Sequence, residues 1–317
     1  MKRRLDQVLK FRQLRMIEAL ARHQSMTRAA AALGLTQPAL TKSLRELEAL
    51  VGEPLFERHA HGVRATAAGQ IVLRYARAAL SDLQRLEQDL DLGGEAGATS
   101  VVVGALPVAA VGLLPAVITR ARAEHPGLQI RLVEGRTEIL LAQLEAGEVD
   151  LVVGRLYPAA APDGLTREAL YAEPISVLAR AGHPIHRLKR PTAKDLAPYD
   201  FVLPGFSQRI GHDVEHFMAA VGLAPSAASI RSTSRGFIRE MLLATDMVTV
   251  TPRIVMGGDL LRGLVRVVAL PGQALPRPAG VITDPRRGLS RGARLLIRIV
   301  RETIADLAQS GDVDITR

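Results

Sequence analysis

The chain has 317 residues, no cysteine, 48% hydrophobic residues and a formal charge of +9. That length accommodates two or three domains with cores of their own, the apolar content excludes global disorder, and the absence of cysteine excludes a disulfide framework, a thiolate zinc site and a cysteine nucleophile. The first ten residues are charged where a signal peptide is apolar, and no unbroken apolar run is long enough to span a bilayer, so a cytoplasmic protein without a membrane partner is expected.

Residues 1–13 read as a basic arm, either a flexible tail or a phosphate contact. Three short amphipathic helices follow, with Leu14, Ile17 and Leu20 on the first, Ala29, Ala30 and Leu33 on the second, and Leu40, Leu44, Leu47 and Val51 on the third. Between the last two, Gly34 is free to take positive φ, Thr36 or Gln37 can cap the next helix, and Pro38 falls in its first turn, where no amide hydrogen is needed. This predicts a helix-turn-helix. At about 100° per residue, Gln37, Pro38, Thr41, Lys42 and Arg45 share one face within roughly 140°, opposite the leucines. An amide that can pair with adenine, a hydroxyl and two cations suit a DNA major groove. Periodicity alone fits the solvated face of an ordinary bundle equally well.

The continuation from Leu55 to Thr66 predicts a short strand, a tip at Gly62 and a return strand, with Arg58 and Arg64 making a basic wing. Residues 1–66 hold twelve Lys and Arg against six Asp and Glu, so +6 of the chain's +9 is concentrated here. With Ala29-Ala30 through Leu33, Gln37-Pro38-Ala39, Leu47-Glu48, Leu55-Phe56 and Arg58, the chain resembles the LysR-type transcriptional regulators over essentially its whole length. In the wing, His61 stands where that family commonly has arginine and Ala65 where it commonly has leucine. The resemblance implies a winged helix-turn-helix over 1–66. Gln37, Thr41 and Lys42 would read the major groove, Pro38 and Arg45 would position the helix, and Arg58 and Arg64 would reach phosphate or the minor groove.

Ala67 to about Leu92 reads as one long helix with a seam of Val72, Ala76, Ala79, Leu83, Leu86 and Leu90. The seam fits either a second copy, as the resemblance implies for a homodimer, or the chain's own carboxy-terminal domain. Residues 93–99 form a glycine-rich hinge. From Ser100 the pattern becomes alternating strand and helix, with helices at Leu113 to Glu124 and Thr137 to Ala146 between parallel strands and a further helix near Ile254 to Leu261. The expected class is α/β: a two-lobed, periplasmic-binding-protein-like effector domain over 100–317. Lobe I covers about 100–169 and 279–317, lobe II about 170–278, and the crossovers lie at Glu168 to Glu173 and Leu270 to Pro278. Tetramers through the effector domains, and RNA polymerase as a further partner, follow from the resemblance alone.

Ligands in open α/β sheets lie at the carboxyl ends of strands, facing helix amino termini. That rule selects Leu106 and Pro107, Thr137, Arg155, Phe206, Ser207 and Arg209, and Thr233 and Ser234 as effector contacts. Arg155 and Arg209 are candidates to pair with a carboxylate. The first loop, from Ala105 to Ala109, offers no hydroxyl and suits an effector with an apolar body, such as an aromatic or aliphatic acid. The segment around Gly182-His183-Pro184 is similar to the family branch containing regulators of protocatechuate and sugar utilisation.

His212-Asp213-Val214-Glu215-His216 matches H-x-x-E-H, an inverted zincin pattern, and keeps a zinc hydrolase as one alternative. No third ligand is identifiable. Gly205 to Arg209 lacks the second glycine of a nucleophile elbow, and no Walker-type loop is present, so neither an enzyme nor a cofactor is expected. The arginines between Arg286 and Arg301 are the solvated side of a helix whose other side carries Leu295, Leu296, Ile299 and Ile304. The second alternative is an architectural DNA-binding protein with no working effector site.

Overall fold

The structure, a computed structural model, describes residues 8–59, 62–91, 99–158, 162–205, 208–224, 228–271, 277–309 and 314–315. The chain divides into two compact units, Met1–Ala98 with Leu141–Val149 and Thr99–Leu140 with Asp150–Arg317.

The first unit opens with α1 (Phe11–His23), α2 (Met26–Ala32) and α3 (Gln37–Val51). Gln24 ends α1 in the left-handed region at φ 50°, and Ser25 caps α2 by accepting from the Arg28 amide. Gly34, at φ 66°, then turns the chain into Thr36, whose hydroxyl accepts from the Ala39 amide. Ile17, Leu20, Leu40, Leu47 and Leu55 are fully enclosed, so the three helices bury the apolar stripes the spacing predicts. The antiparallel ribbon of β1 (Phe56–His59) and β2 (Gly62–Ala65) follows in the register Phe56↔Ala65. Thr66 joins it to α4 (Ala67–Asp91) by donating to the Pro54 carbonyl at 2.7 Å and accepting from the Gly69 amide at 3.0 Å.

Helix α4 differs from its expected seam. Leu73 and Ala76 are buried in the core of the first unit, and Val72 and Ala79 pack against it. Heptad spacing defines a stripe but not its partner, and here the apolar side of α1 takes the stripe's first half. The exposed apolar side chains of α4 are Ile71 at 51%, Tyr75 at 67% and Leu86 at 53%. The Leu90 side chain and residues 92–98 of the hinge lie outside the described residues.

The second unit runs through β3 (Thr99–Ala105), α5 (Pro107–Gly112), α6 (Leu114–Glu124), β4 (Leu128–Glu134), α7 (Thr137–Ala146) and β5 (Leu151–Arg155). It continues with β6 (Thr166–Glu173), β7 (Ile175–Arg180), α8 (Ala193–Leu196), β8 (Phe201–Pro204), α9 (Gln208–Ala220), β9 (Ala228–Ser232) and α10 (Arg235–Ala244). The last elements are β10 (Thr249–Pro252), α11 (Gly257–Leu261), β11 (Val265–Val268), β12 (Arg277–Thr283), α12 (Arg291–Gln309) and β13 (Asp314–Ile315). Helix α7 crosses the division between the units.

Lobe I is built on a six-stranded sheet in the order β13-β6-β12-β5-β3-β4. Its β3, β4 and β5 are parallel, whereas β12 is antiparallel to both β5 and β6. Lobe II carries the three-stranded β10-β7-β11 and the parallel pair β8-β9, linked by a bridge from Phe201 to Val248.

Three expectations about this unit are corrected. The segment after Ala105 is not a loop: Pro107 starts the short helix α5 behind an extended Leu106. The first crossover is not Glu168 to Glu173, because β6 pairs with β12 from Thr166↔Thr283 to Glu173↔Arg277. The backbone of β6 instead completes the sheet between β13 and β12. The chain changes lobes at Pro174 and again before Arg277, where 272–276 lie outside the described residues. Finally, the helix expected near Ile254 to Leu261 is a 3-10 turn, Arg253–Met256, followed by α11.

The lobes meet closely beside the first crossover. A Cβ on Gly112, at the end of α5, would lie 2.7 Å from both Ile254 Cγ1 and the Ile254 carbonyl oxygen. Next to it, the Arg253 amide donates to the Pro174 carbonyl at 2.9 Å. On α12, Leu296, Ile299 and Ile304 are buried, while Arg298 pairs with Glu302 and Arg301 with Glu168, in keeping with a solvated basic side.

Candidate DNA-binding surface and effector cleft

On α3, Gln37, Pro38, Lys42 and Arg45 are exposed and Thr41 is half-buried, while Leu40, Leu44, Leu47 and Val51 face the core. The side-chain oxygen of Gln37 accepts from the Thr27 hydroxyl on α2 at 3.2 Å. The Thr41 hydroxyl donates back to the Gln37 carbonyl at 2.9 Å, so its proton is spent within the helix. Glu46 and Ala49 line the same shallow concavity beyond Arg45, where the surface loses its positive character.

The wing is seated on the turn between α1 and α2. The Val63 amide donates to the Gln24 carbonyl at 3.0 Å, and a Cβ on Gly62, at φ 135°, would lie 2.1 Å from that oxygen. Within the ribbon Arg58 stands opposite Val63 and Arg64 opposite Glu57. Cross-strand partners share a face and neighbours alternate, so the two arginines, both exposed, project from opposite faces. The tip, residues 60–61 including His61, lies outside the described residues.

In the second unit the carboxyl ends of β3, β4 and β5 bring Ala105, Glu134 and Arg155 to one edge, and those of β8 and β9 bring Pro204 and Ser232. Leu106 is only 6% exposed, and its side chain lies over Gly154, where a Cβ would come within 2.5 Å of it. Its side chain thus packs against β5. Pro107 and Thr137, at the starts of α5 and α7, are half-buried. Ser234 caps α10 by accepting from the Phe237 amide at 3.2 Å, and Thr233 beside it is exposed. Phe206, Ser207 and the Arg209 side chain lie outside the described residues.

Arg155 is corrected more fundamentally. Its side chain is 2% exposed, with Nε donating to Glu173 at 2.6 Å and Nη1 donating to Asp213 at 2.6 Å. Asp213 also accepts from Arg277 at 3.0 Å, and the Tyr171 hydroxyl donates to Glu173 at 3.2 Å. Burial opposes the charge on Arg155, but the two carboxylates, Glu173 foremost, raise the guanidinium above its ordinary value. Burial likewise pushes Glu173 toward its neutral form, and Arg155 opposes that shift. The strand-end rule finds the position of Arg155 but not its occupancy by two acids distant in sequence. Arg155 joins the lobes through these two ion pairs.

The H-x-x-E-H match receives other tasks by the same geometry. Asp213 is a buried partner of two arginines, Glu215 pairs with Arg231 at 3.1 Å, and His212 and His216 are exposed. Among the described residues no group of three His, Cys, Asp or Glu side chains is placed to hold a metal ion. No helix of the described residues is long and apolar enough to cross a membrane.

Three residues near these strand ends went unmarked in the sequence. Arg235, the first residue of α10, reaches from lobe II to Glu134 at the end of β4 in lobe I, with Nη2 at 2.9 and 3.0 Å from the two carboxylate oxygens. Tyr157 lies just beyond β5, its hydroxyl pKa raised by burial against the opposing effect of Arg155. All three occupy strand ends or the residues next to them, so the same rule applied one or two positions further would have found them.

Two family models match the chain: a bacterial regulatory helix-turn-helix protein of the lysR family over residues 11–70, and a LysR substrate binding domain over residues 94–305. The regulator PcaQ of Agrobacterium fabrum is 32% identical over 303 residues, covering 96% of this chain and 97% of its own. GbpR of Azospirillum brasilense is 33% identical, covering 92% of this chain and 86% of its own. Among solved structures, full-length CbnR complexed with its target DNA aligns with a TM-score of 0.62 at 19% identity, over 93% of this chain and 100% of that one. A full-length OxyR variant from Pseudomonas aeruginosa aligns with a TM-score of 0.58 at 24% identity, over 92% and 98%. With a helix-turn-helix and wing in one unit and a two-lobed α/β fold in the other, both matched by the models, the chain belongs to the LysR family of transcriptional regulators.

Proposed function

We propose that this LysR-type regulator works in the cytoplasm by binding promoter DNA and not by catalysis. Its effector is an organic acid with an aromatic, aliphatic or sugar-derived body, held between lobes I and II. The observation that carries the effector class is the Glu134–Arg235 pair, which sets a carboxylate against a guanidinium across the strand ends. A carboxylate ligand can take the place of Glu134 on Arg235, while the wall formed by Leu106 accommodates an apolar body. Exchange of that partner gives the ligand unequal affinity for the two lobe arrangements, which is what shifts a conformational equilibrium. Arg235→Gln is expected to weaken the binding of carboxylates by about 1.5–3 kcal/mol, the worth of a charged hydrogen bond, with ligand-free DNA binding unchanged. A calorimetric titration with the acids found in a thermal-shift screen checks this, and equal affinities in the two proteins would refute it.

For DNA, Gln37→Ala is expected to flatten the preference for one base pair, costing roughly 1–3 kcal/mol of discrimination. Arg64→Ala is expected to weaken binding to every sequence alike and to lower the salt slope by about 0.9. Competition binding on a selected duplex and a random one separates the two effects. An architectural protein would show little preference between those duplexes from the outset.

Ile71, Tyr75 and Leu86 on α4 form the surface proposed for the homodimer, with tetramers through the effector domains and RNA polymerase as a later partner. Ile71→Asp together with Tyr75→Asp is expected to shift the sedimentation profile to a smaller species and leave the helical signal intact, because both side chains are exposed. An unchanged profile would place the interface elsewhere.

A further inference from the structure

We propose that Thr27 is a positioning residue for base readout: its hydroxyl, hydrogen-bonded to the Gln37 side-chain amide at 3.2 Å, holds that amide in place on the recognition face before it meets the DNA. The inference rests on the reading of Gln37 as a base-contacting residue.

The two ends of a primary amide have nearly the same shape and opposite chemistry. Rotation by 180° about its last bond exchanges a donor for an acceptor. Adenine presents an acceptor at N7 beside a donor at N6, so a glutamine that reads it must offer its ends in one order. An exposed Gln37 with no neighbour would also sample several rotamers and lose part of its discrimination before contact.

Thr27 is placed to restrict that freedom, because its hydroxyl can donate to Oε1 or accept from Nε2 and so anchors the amide in either order. It lies in the first turn of α2, whose own cap is Ser25, so its hydroxyl is surplus to the needs of that helix. Buried Ala29 and Ala30 on α2 and Leu40 on α3 lie in one core cluster, which holds the two helix starts at a set separation. The hydrogen bond leaves the second lone pair of Oε1 and both hydrogens of Nε2 for a base edge. Thr41 contributes no proton to that edge, because its hydroxyl donates to the Gln37 carbonyl. Separation of donor edges from acceptor edges at this position therefore falls to the Gln37 amide, and its placement to Thr27.

The test uses the full chain, a duplex selected by the wild-type protein from a random library, and single base-pair variants of that duplex at two salt concentrations. Thr27→Val keeps the shape of the side chain and removes the hydroxyl. It is expected to reduce discrimination, by about two- to tenfold, at the same base pair that Gln37→Ala flattens. Affinity for random duplex and its salt slope are expected to stay unchanged. Thr27→Ser is expected to restore discrimination, Thr27→Ala to repeat the effect of valine, and Thr27→Val with Gln37→Ala to lose no more than Gln37→Ala alone. Full discrimination in Thr27→Val beside a flattened Gln37→Ala would overturn this inference and leave the reading of Gln37 intact. Unaltered discrimination in Gln37→Ala would remove both. A uniform loss on all duplexes with a shallower salt slope would make Thr27 a phosphate contact and overturn the positioning role.

Discussion

Replacement of Asp213 by alanine is expected to destabilise the effector domain by about 3–5 kcal/mol, seen as an earlier midpoint in urea denaturation of the full chain. Asp213 accepts from Arg155 at 2.6 Å and from Arg277 at 3.0 Å, and it is 8% exposed. Its removal leaves Arg155, buried at the end of β5, to rely on its ion pair with Glu173. The cost arises because Arg155, already taken from water, loses one of its two carboxylate partners, not because the pair was a strong source of stability when formed. Replacing Arg155, Glu173 and Asp213 together with apolar residues of similar volume should consequently recover part of the loss. The network joins β5 of lobe I to α9 of lobe II, with Glu173 at one crossover and Arg277 at the other. Effector-dependent changes in DNA binding should therefore fall along with stability. Wild-type stability in Asp213→Ala would mean that the four charges are independently solvated.

Gly112→Val is expected to pry the lobes apart at the same end. The nearest atoms to a new Cβ belong to Ile254 and include its backbone oxygen, both at 2.7 Å, so a side-chain rotation on Ile254 does not clear the space. Overpacking of this kind costs about 1–3 kcal/mol, and here the strain falls on a contact between lobes rather than within one core. The expected result is a lower thermal midpoint together with weaker stabilisation by any acid that binds the cleft, while random-duplex binding by the amino-terminal unit is preserved. Gly112→Ala should show a smaller change in the same direction. A ligand-induced shift as large as that of the wild-type protein would show that α5 can move on Ile254 without consequence for the cleft.

Several features were legible in the sequence because they depend on near neighbours. The stripe of Leu40, Leu44, Leu47 and Val51, the positive-φ turn at Gly34, the Thr36 cap and Pro38 together specify the start and sides of α3 from one short, continuous span. The ribbon after it, and the alternation of β3, α6, β4, α7 and β5, follow from local periodicity in the same way. The spacing that presents Gln37, Lys42 and Arg45 to solvent is the same spacing that buries the opposite side of the helix.

What the tertiary structure alone decided is which partner each side chain meets. The stripe on α4 was visible, but its division between α1 and the exposed Ile71, Tyr75 and Leu86 was not, because an apolar face records no identity for what covers it. Arg155 was visible at the end of a strand, but its charge is committed to Glu173 and Asp213, and the guanidinium that faces a carboxylate across the strand ends belongs to Arg235. Ion pairs and close backbone approaches such as Gly112 on Ile254 join positions far apart in the chain. Their selection depends on distance and on the cost of leaving a buried charge alone, and neither is written in the order of the residues.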